Sequence, residues 1–181
     1  MKYLTSLLLL CLFMGCQSQK AEPIQTSVFL ENQLGQFISQ HPNWKADEDT
    51  EKKTTEKFRH RVINWSNEEE FLKDLPFKFK RLIDTTVNNT AVKLAFFETY
   101  SDSTRNSQSL LNFMQLQIKG LVSAEQSKDL IVGNTYYIDG HLFKQGKRND
   151  IQYVELGQFK GYALGSYMFS INQINPINQA N

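Results

Sequence analysis

Cys16 is the residue of this chain best placed for covalent chemistry. Before it come Lys2, the lone charge among the first nineteen residues, and an apolar stretch from Leu4 to Gly15 that ends Phe13, Met14, Gly15. A positive start, a short apolar core and a small residue at the cut are the marks of a removable signal peptide. A dozen or so apolar residues are also too few for a spanning helix, which needs about 20. The other cysteine, Cys11, falls inside the same segment, so the mature chain would hold no disulfide, no second thiol nucleophile and no cysteine metal ligand.

Other chemistry is sparse. His41, His60 and His141 fall on separate elements without a second ligand at metal spacing, and the chain has no HExxH, GxSxG, Walker or dinucleotide-binding pattern. No metal and no cofactor is expected. Paired carboxylates could still act as acid and base. Asp139 beside His141, or Glu155 on a neighbouring strand, would be the places to look for such a pair.

The order Phe13, Met14, Gly15, Cys16 resembles the lipobox of bacterial lipoproteins. That resemblance implies cleavage before Cys16, lipid on its thiol and attachment to the cell envelope through the anchor. Gln17 in the next position, rather than Asp, resembles the pattern passed on to the outer membrane, with the protein on its periplasmic or surface face. Residues 1–15 are then signal peptide, 16–25 a polar tether, 26–172 a single domain and 173–181 a flexible tail rich in Asn and Gln.

Without Lys2 the mature chain carries nineteen basic against nineteen acidic residues. A global basic field of the kind that binds nucleic acid is absent, so nucleic acid is not the expected partner. Two local features point to binding instead. Phe77, Lys78, Phe79, Lys80 and Arg81 interleave rings with cations, as in surfaces that stack bases or sugars, or as in a strand with its rings in the core. Alternation along Thr135 to Phe143 buries Tyr136 and Ile138 and turns Tyr137, His141 and Phe143 outward, where large aromatics need either helices or a ligand to cover them.

These residues must be held by recognisable elements. Leu30, Leu34, Phe37, Ile38 and His41 share one helical face that ends at Pro42, which predicts a helix over about 27–40. Lys45 to Lys57 reads as a solvated linker into a second helix carrying Phe58, Val62 and Trp65. Ser66 and Glu69 fit a capping box for a third helix closed by Pro76, with Phe71, Leu72 and Leu75 buried. Period two then takes over: a hairpin of Phe77–Ile83 and Val92–Tyr100 about Asn88 and Asn89, and a strand from Phe113 to Val122 with Met114, Leu116, Ile118 and Val122 inward. Further strands follow at Thr135–Phe143, Ile151–Leu156 and Tyr162–Ile171, with a polar turn at Gly146–Asp150. Helices first and strands afterwards predict an α+β domain with a curved antiparallel sheet. Gly120, Gly140 and Gly165 inside strand patterns mark bends, and the spacing of Gly120, Gly133 and Gly140 resembles an OB-fold barrel; a cystatin-like or NTF2-like layout is the alternative. The reading is of a lipid-anchored, non-enzymatic binding module for a glycan, peptide or protein. An envelope hydrolase with paired carboxylates, or a structural subunit of an envelope assembly, are its rivals.

Overall fold

The computed structural model describes residues 26–44, 47–100, 109–143, 148–156 and 159–177; Cys16, its tether and residues 178–181 lie outside them. Among the described residues no helix is long and apolar enough to cross a membrane. The first helix, α1 (Phe29–Gln40), forms where Leu30, Leu34 and Phe37 make one buried stripe, and it stops before Pro42. Glu31, buried on this helix, accepts hydrogen bonds from the Ser109 hydroxyl at 2.6 Å and the Leu110 amide at 2.8 Å. These tie α1 to a 3-10 turn at Leu110–Phe113.

Two expectations about the helices need correction. Most of the stretch read as a linker belongs to α2 (Glu48–Trp65). Asp47 caps it, accepting from the Thr50 amide and the Thr50 hydroxyl at 2.8 Å each; these bonds hold its carboxyl below the usual carboxylate range. Glu48, Asp49 and Glu51 complement the positive helix end. The buried side runs Thr54, Phe58, Val62, Trp65, so a threonine opens the stripe and an apolar count misses the first half of the helix. Ser66 caps no third helix. It ends α2, its hydroxyl donating to the Ile63 carbonyl at 2.8 Å, and only a 3-10 turn at Glu69–Leu72 follows. Phe71, Leu72 and Leu75 are buried as expected.

The hairpin consists of β1 (Pro76–Val87) and β2 (Thr90–Thr99). Asn88 and Asn89 both take positive φ, 49° and 62°, as a two-residue turn with the twist of a hairpin demands. Next come β3 (Met114–Val122), the short α3 (Ala124–Lys128) with a Ser123/Gln126 capping box, β4 (Thr135–Leu142), β5 (Gln152–Leu156) and β6 (Phe159–Pro176). β1 pairs with β2 and β4, β2 with β3, β4 with β6, and β3 with β6, which closes a five-stranded barrel; β5 lies outside it on the first part of β6. The domain is therefore α+β with an OB-like barrel. The sheet is mixed rather than antiparallel, because β3 and β6 run parallel. An odd number of strands cannot close with every neighbour antiparallel. The segment Gln173–Pro176, read as part of a flexible tail, continues β6 and pairs with β4, Gln173 opposite Asp139 and Asn175 opposite Tyr137. Its Asn and Gln side chains face water while the backbone makes the ladder.

The barrel interior holds Phe77, Phe79, Ala95, Phe97, Ile118, Tyr136, Ile138 and Phe169. Register places Tyr162 opposite Met114 and Tyr167 opposite Ile118, so both tyrosines face inward at the end where β3 and β6 begin. The helices plug that end. Phe58 stacks on Tyr162 with ring centroids 3.8 Å apart, Trp44 at 5.4 Å, and Phe71 meets Tyr167 at 5.1 Å. Between the two tyrosines, Gly165 bends β6 with φ +86°. A Cβ there would run into the Asp150 carboxylate and the Arg148 guanidinium. Residues 148–150, part of the expected polar turn, are thus an inserted wedge.

Two outcomes follow. Ile118→Asp buries an unpaired carboxylate in a fully enclosed position and should cost several kcal/mol, whereas Gln117→Asp, on the wet side of the same strand, should leave the melting temperature nearly unchanged; equal losses would overturn the strand's orientation. Burial pushes the phenols of Tyr162 and Tyr167 up to about 12, the Thr55 hydroxyl facing the first and the Arg148 guanidinium over the second offsetting only part. In the unfolded chain a phenol ionises near 10, so this stabilisation is intact below pH 10 and lost as pH rises toward 12. Tyrosinate absorbance should show two late-ionising phenols and denaturation midpoints should fall across that window; a full set of tyrosines ionising near 10 in the folded protein would contradict the packing.

Candidate functional site

With the helices spent on the barrel end, the outer face of the barrel stays in contact with solvent. Tyr137 is 37% and Phe143 43% exposed, and Asp139 and His141 are exposed between them. The alternation read from Thr135 to Phe143 survives the irregularity at Asp139/Gly140 because the extra residue there, Asn172, belongs to β6, while Gly140 has no Cβ to meet the Ser170 and Ile171 backbone.

Strand register then carries this row around the barrel. The Phe143 amide donates to the Met168 carbonyl at 2.9 Å; Met168 is opposite Lys119, Lys119 opposite Phe96 and Phe96 opposite Arg81. Four strands and the residue just past the end of β4 contribute one outward residue each, over about 19 Å at strand spacings of about 4.8 Å. A second row lies beside it, His141, Ser170, Leu121, Leu94 and Ile83. Phe96 is the pivot of the first row: the Arg81 guanidinium sits over its ring at 4.5 Å and the Lys119 ammonium at 6.0 Å. Neither Phe96, Met168 nor Lys119 is singled out by sequence patterning; their link to Phe143 depends on the parallel closure.

The basic and aromatic run on β1 divides. Phe77 and Phe79 are core. The Lys78 ammonium lies over the Tyr100 ring at 4.5 Å and Lys80 pairs with Glu98 at 2.7 Å, an exposed ion pair of small energetic weight. A bulge between Phe79 and Arg81 turns Arg81 onto the outer row. Of the three candidate cations, the structure therefore joins one to the aromatic row.

Tyr137 stands apart, at the rim of a groove of about 470 Å³ between β4 and the Glu69–Leu72 turn, with Glu69, Glu70, Lys73, Asp74 and Asp139 around it. Asp139 and Glu155 do not pair with each other. Asp139 is opposite Gln173 and Glu155 opposite Lys160, roughly 40 Å apart along β6 at about 3.3 Å per residue. Glu155 instead approaches Glu51, whose carboxyl is raised first by burial and then by that neighbour. Among the described residues no three His, Cys, Asp or Glu side chains are placed to hold a metal ion. His41 stacks on Phe37 at 4.5 Å, its Nδ1 3.0 Å from the Phe37 carbonyl.

No family model, curated protein or solved structure matches the chain. Its function has to be argued from this surface. Tyr137→Ala and Phe143→Ala should each cost far less stability than Phe77→Ala, for which a buried aromatic sets about 3 to 5 kcal/mol. Chemical denaturation of the three variants checks this, and equal losses would assign Tyr137 and Phe143 to a core.

Proposed function

We propose that this chain is a lipid-anchored, non-enzymatic binding module of a bacterial cell envelope. It takes a glycan, peptide or protein partner on the outer face of its barrel. The observation that carries the reading is the outward row from Phe143 through Met168, Lys119 and Phe96 to Arg81, on a face the helices leave uncovered among the described residues. A row of rings, a thioether and two cations suits a partner that combines apolar surface with acid or hydroxyl groups. Nucleic acid is a poor fit, since Lys78 and Lys80 are already engaged by Tyr100 and Glu98 and the chain is near neutral. The separation of Asp139 from Glu155 argues against hydrolysis by that pair.

The lipid enters through Cys16, whose thiol no other mature residue can replace. Cys16→Ser should move the protein from the membrane to the soluble fraction and remove fatty-acid label; unchanged membrane retention with no label on the wild type would end the lipoprotein reading. For the face itself, the detergent-extracted full-length protein and its Phe96→Ala, Phe143→Ala double variant are compared for capture from solubilised envelope. The wild type should retain a partner that the variant loses at an unchanged melting temperature. Equal capture by both moves the site elsewhere.

A further inference from the structure

Six large apolar side chains are exposed among the described residues; two of them, Ile83 and Val87, lie on β1, and two, Ile131 and Val132, in the segment that leads into β4. β4 pairs with β1 only across Pro76–Lys78. One residue on, the Phe79 amide donates to the Asn134 carbonyl and the Gly133 amide to the Phe79 carbonyl, both at 2.9 Å. Ile131 and Val132 immediately precede that contact. Beyond it, β1 has β2 on one side and, among the described residues, no strand on the other.

The turn fixes which backbone groups face the open side. In a two-residue hairpin Val87 and Thr90 exchange hydrogen bonds, so by alternation Thr85, Ile83 and Arg81 also spend theirs on β2. Leu82, Asp84 and Thr86 then present three N–H and three C=O groups to the open edge. Exposed β-branched side chains beside an unpaired edge form a template for another strand.

We propose that this edge docks an extended segment of a partner protein, added as an antiparallel strand with an acidic side chain opposite Arg81 and apolar side chains opposite Ile83 and Val87. Arg81 forms no ion pair among the described residues and is held outward by Phe96, so an acid beside it gains a cross-strand partner. A second copy of this chain fits poorly. The two-fold register that uses all six free groups sets Asp84, whose side chain is 84% exposed, directly opposite its own copy, and like charges so placed repel. Each Asp84 already has Lys93 at 2.7 Å. The bulge between Phe79 and Arg81, with Lys80 held by Glu98, ends the edge at its base. This site shares Arg81 with the outer row, but its backbone groups at Leu82, Asp84 and Thr86 lie outside that row, so it can fail while the outer-face reading stands.

The test uses the full chain in detergent and a labelled peptide, VTTKVTE, which in antiparallel register sets its first Val opposite Val87, Lys opposite Asp84, the second Val opposite Ile83 and Glu opposite Arg81. Saturable binding by fluorescence anisotropy is expected, with amide exchange at Leu82, Asp84 and Thr86 slowed and at Thr85 unchanged. Thr86→Pro removes one edge N–H and should weaken binding tenfold or more. Changing the peptide's Glu to Lys should weaken it several-fold, and Arg81→Glu should reverse that preference. Amide exchange on the wild type reads the edge directly, even if proline disturbs the turn. No saturable binding, or binding that leaves those three amides unprotected, overturns the proposal. So does a concentration-dependent dimer abolished by Thr86→Pro, which would give the edge to a second copy.

Discussion

β6 has to pair with β5, β3 and β4 along a single strand, and the bulge at Gly165 is where it passes between them. The wedge beside that glycine is a buried guanidinium. Arg148 donates to Asp150 at 2.9 Å from Nε and from Nη2, and to the Leu164 carbonyl at 3.3 Å, and it lies over the Tyr167 ring at 3.9 Å. Asp150 in turn accepts from the Ser166 amide at 3.0 Å. A charge taken from water needs its hydrogen bonds replaced, and here the replacement comes from the Asp150 carboxylate and from the Leu164 carbonyl beside the bulge. Removing the carboxylate would leave Arg148 buried against an aromatic with part of its donor set unmet.

The remaining architecture follows from that bend. With Gly165 in place, Tyr162 and Tyr167 both face inward although they are five positions apart, an odd offset that a regular strand would forbid. They present two rings at the barrel end, and Phe37, Phe58, Trp44 and Phe71 close over them. α1 and α2 are thereby committed to an end of the barrel. The outer rows, from Phe143 to Arg81 and from His141 to Ile83, are not where these helices pack.

Legibility in the sequence tracked how locally each feature is encoded. The β3 alternation, the Asn88-Asn89 turn and the outward Tyr137, His141 and Phe143 are set by neighbours two residues apart, and they read correctly. The first half of α2 did not, because Thr54 opens its buried side and the signal lies in the Asp47 cap and its acidic neighbours. Ser66 and Glu69 match a capping box in spacing, yet the preceding helix claims Ser66 first. The parallel closure, the pairing of Gln173–Pro176 and the link from Phe143 to Arg81 are properties of strands distant in sequence. No local pattern carries them. Gly165 was visible as an interruption, while its cause, Arg148 and Asp150, lay in what reads as an ordinary polar turn.

The claim that the helices cover the barrel end and leave its outer face open is tested most directly by hydroxyl-radical footprinting of the folded protein, which labels side chains in proportion to solvent access. Tyr137, Phe143 and His141 should label rapidly, while Tyr162, Tyr167, Phe58 and Phe77 stay protected until the protein unfolds. Protection of Tyr137 and Phe143 together with labelling of Tyr162 would place the helices over the outer face and contradict the account.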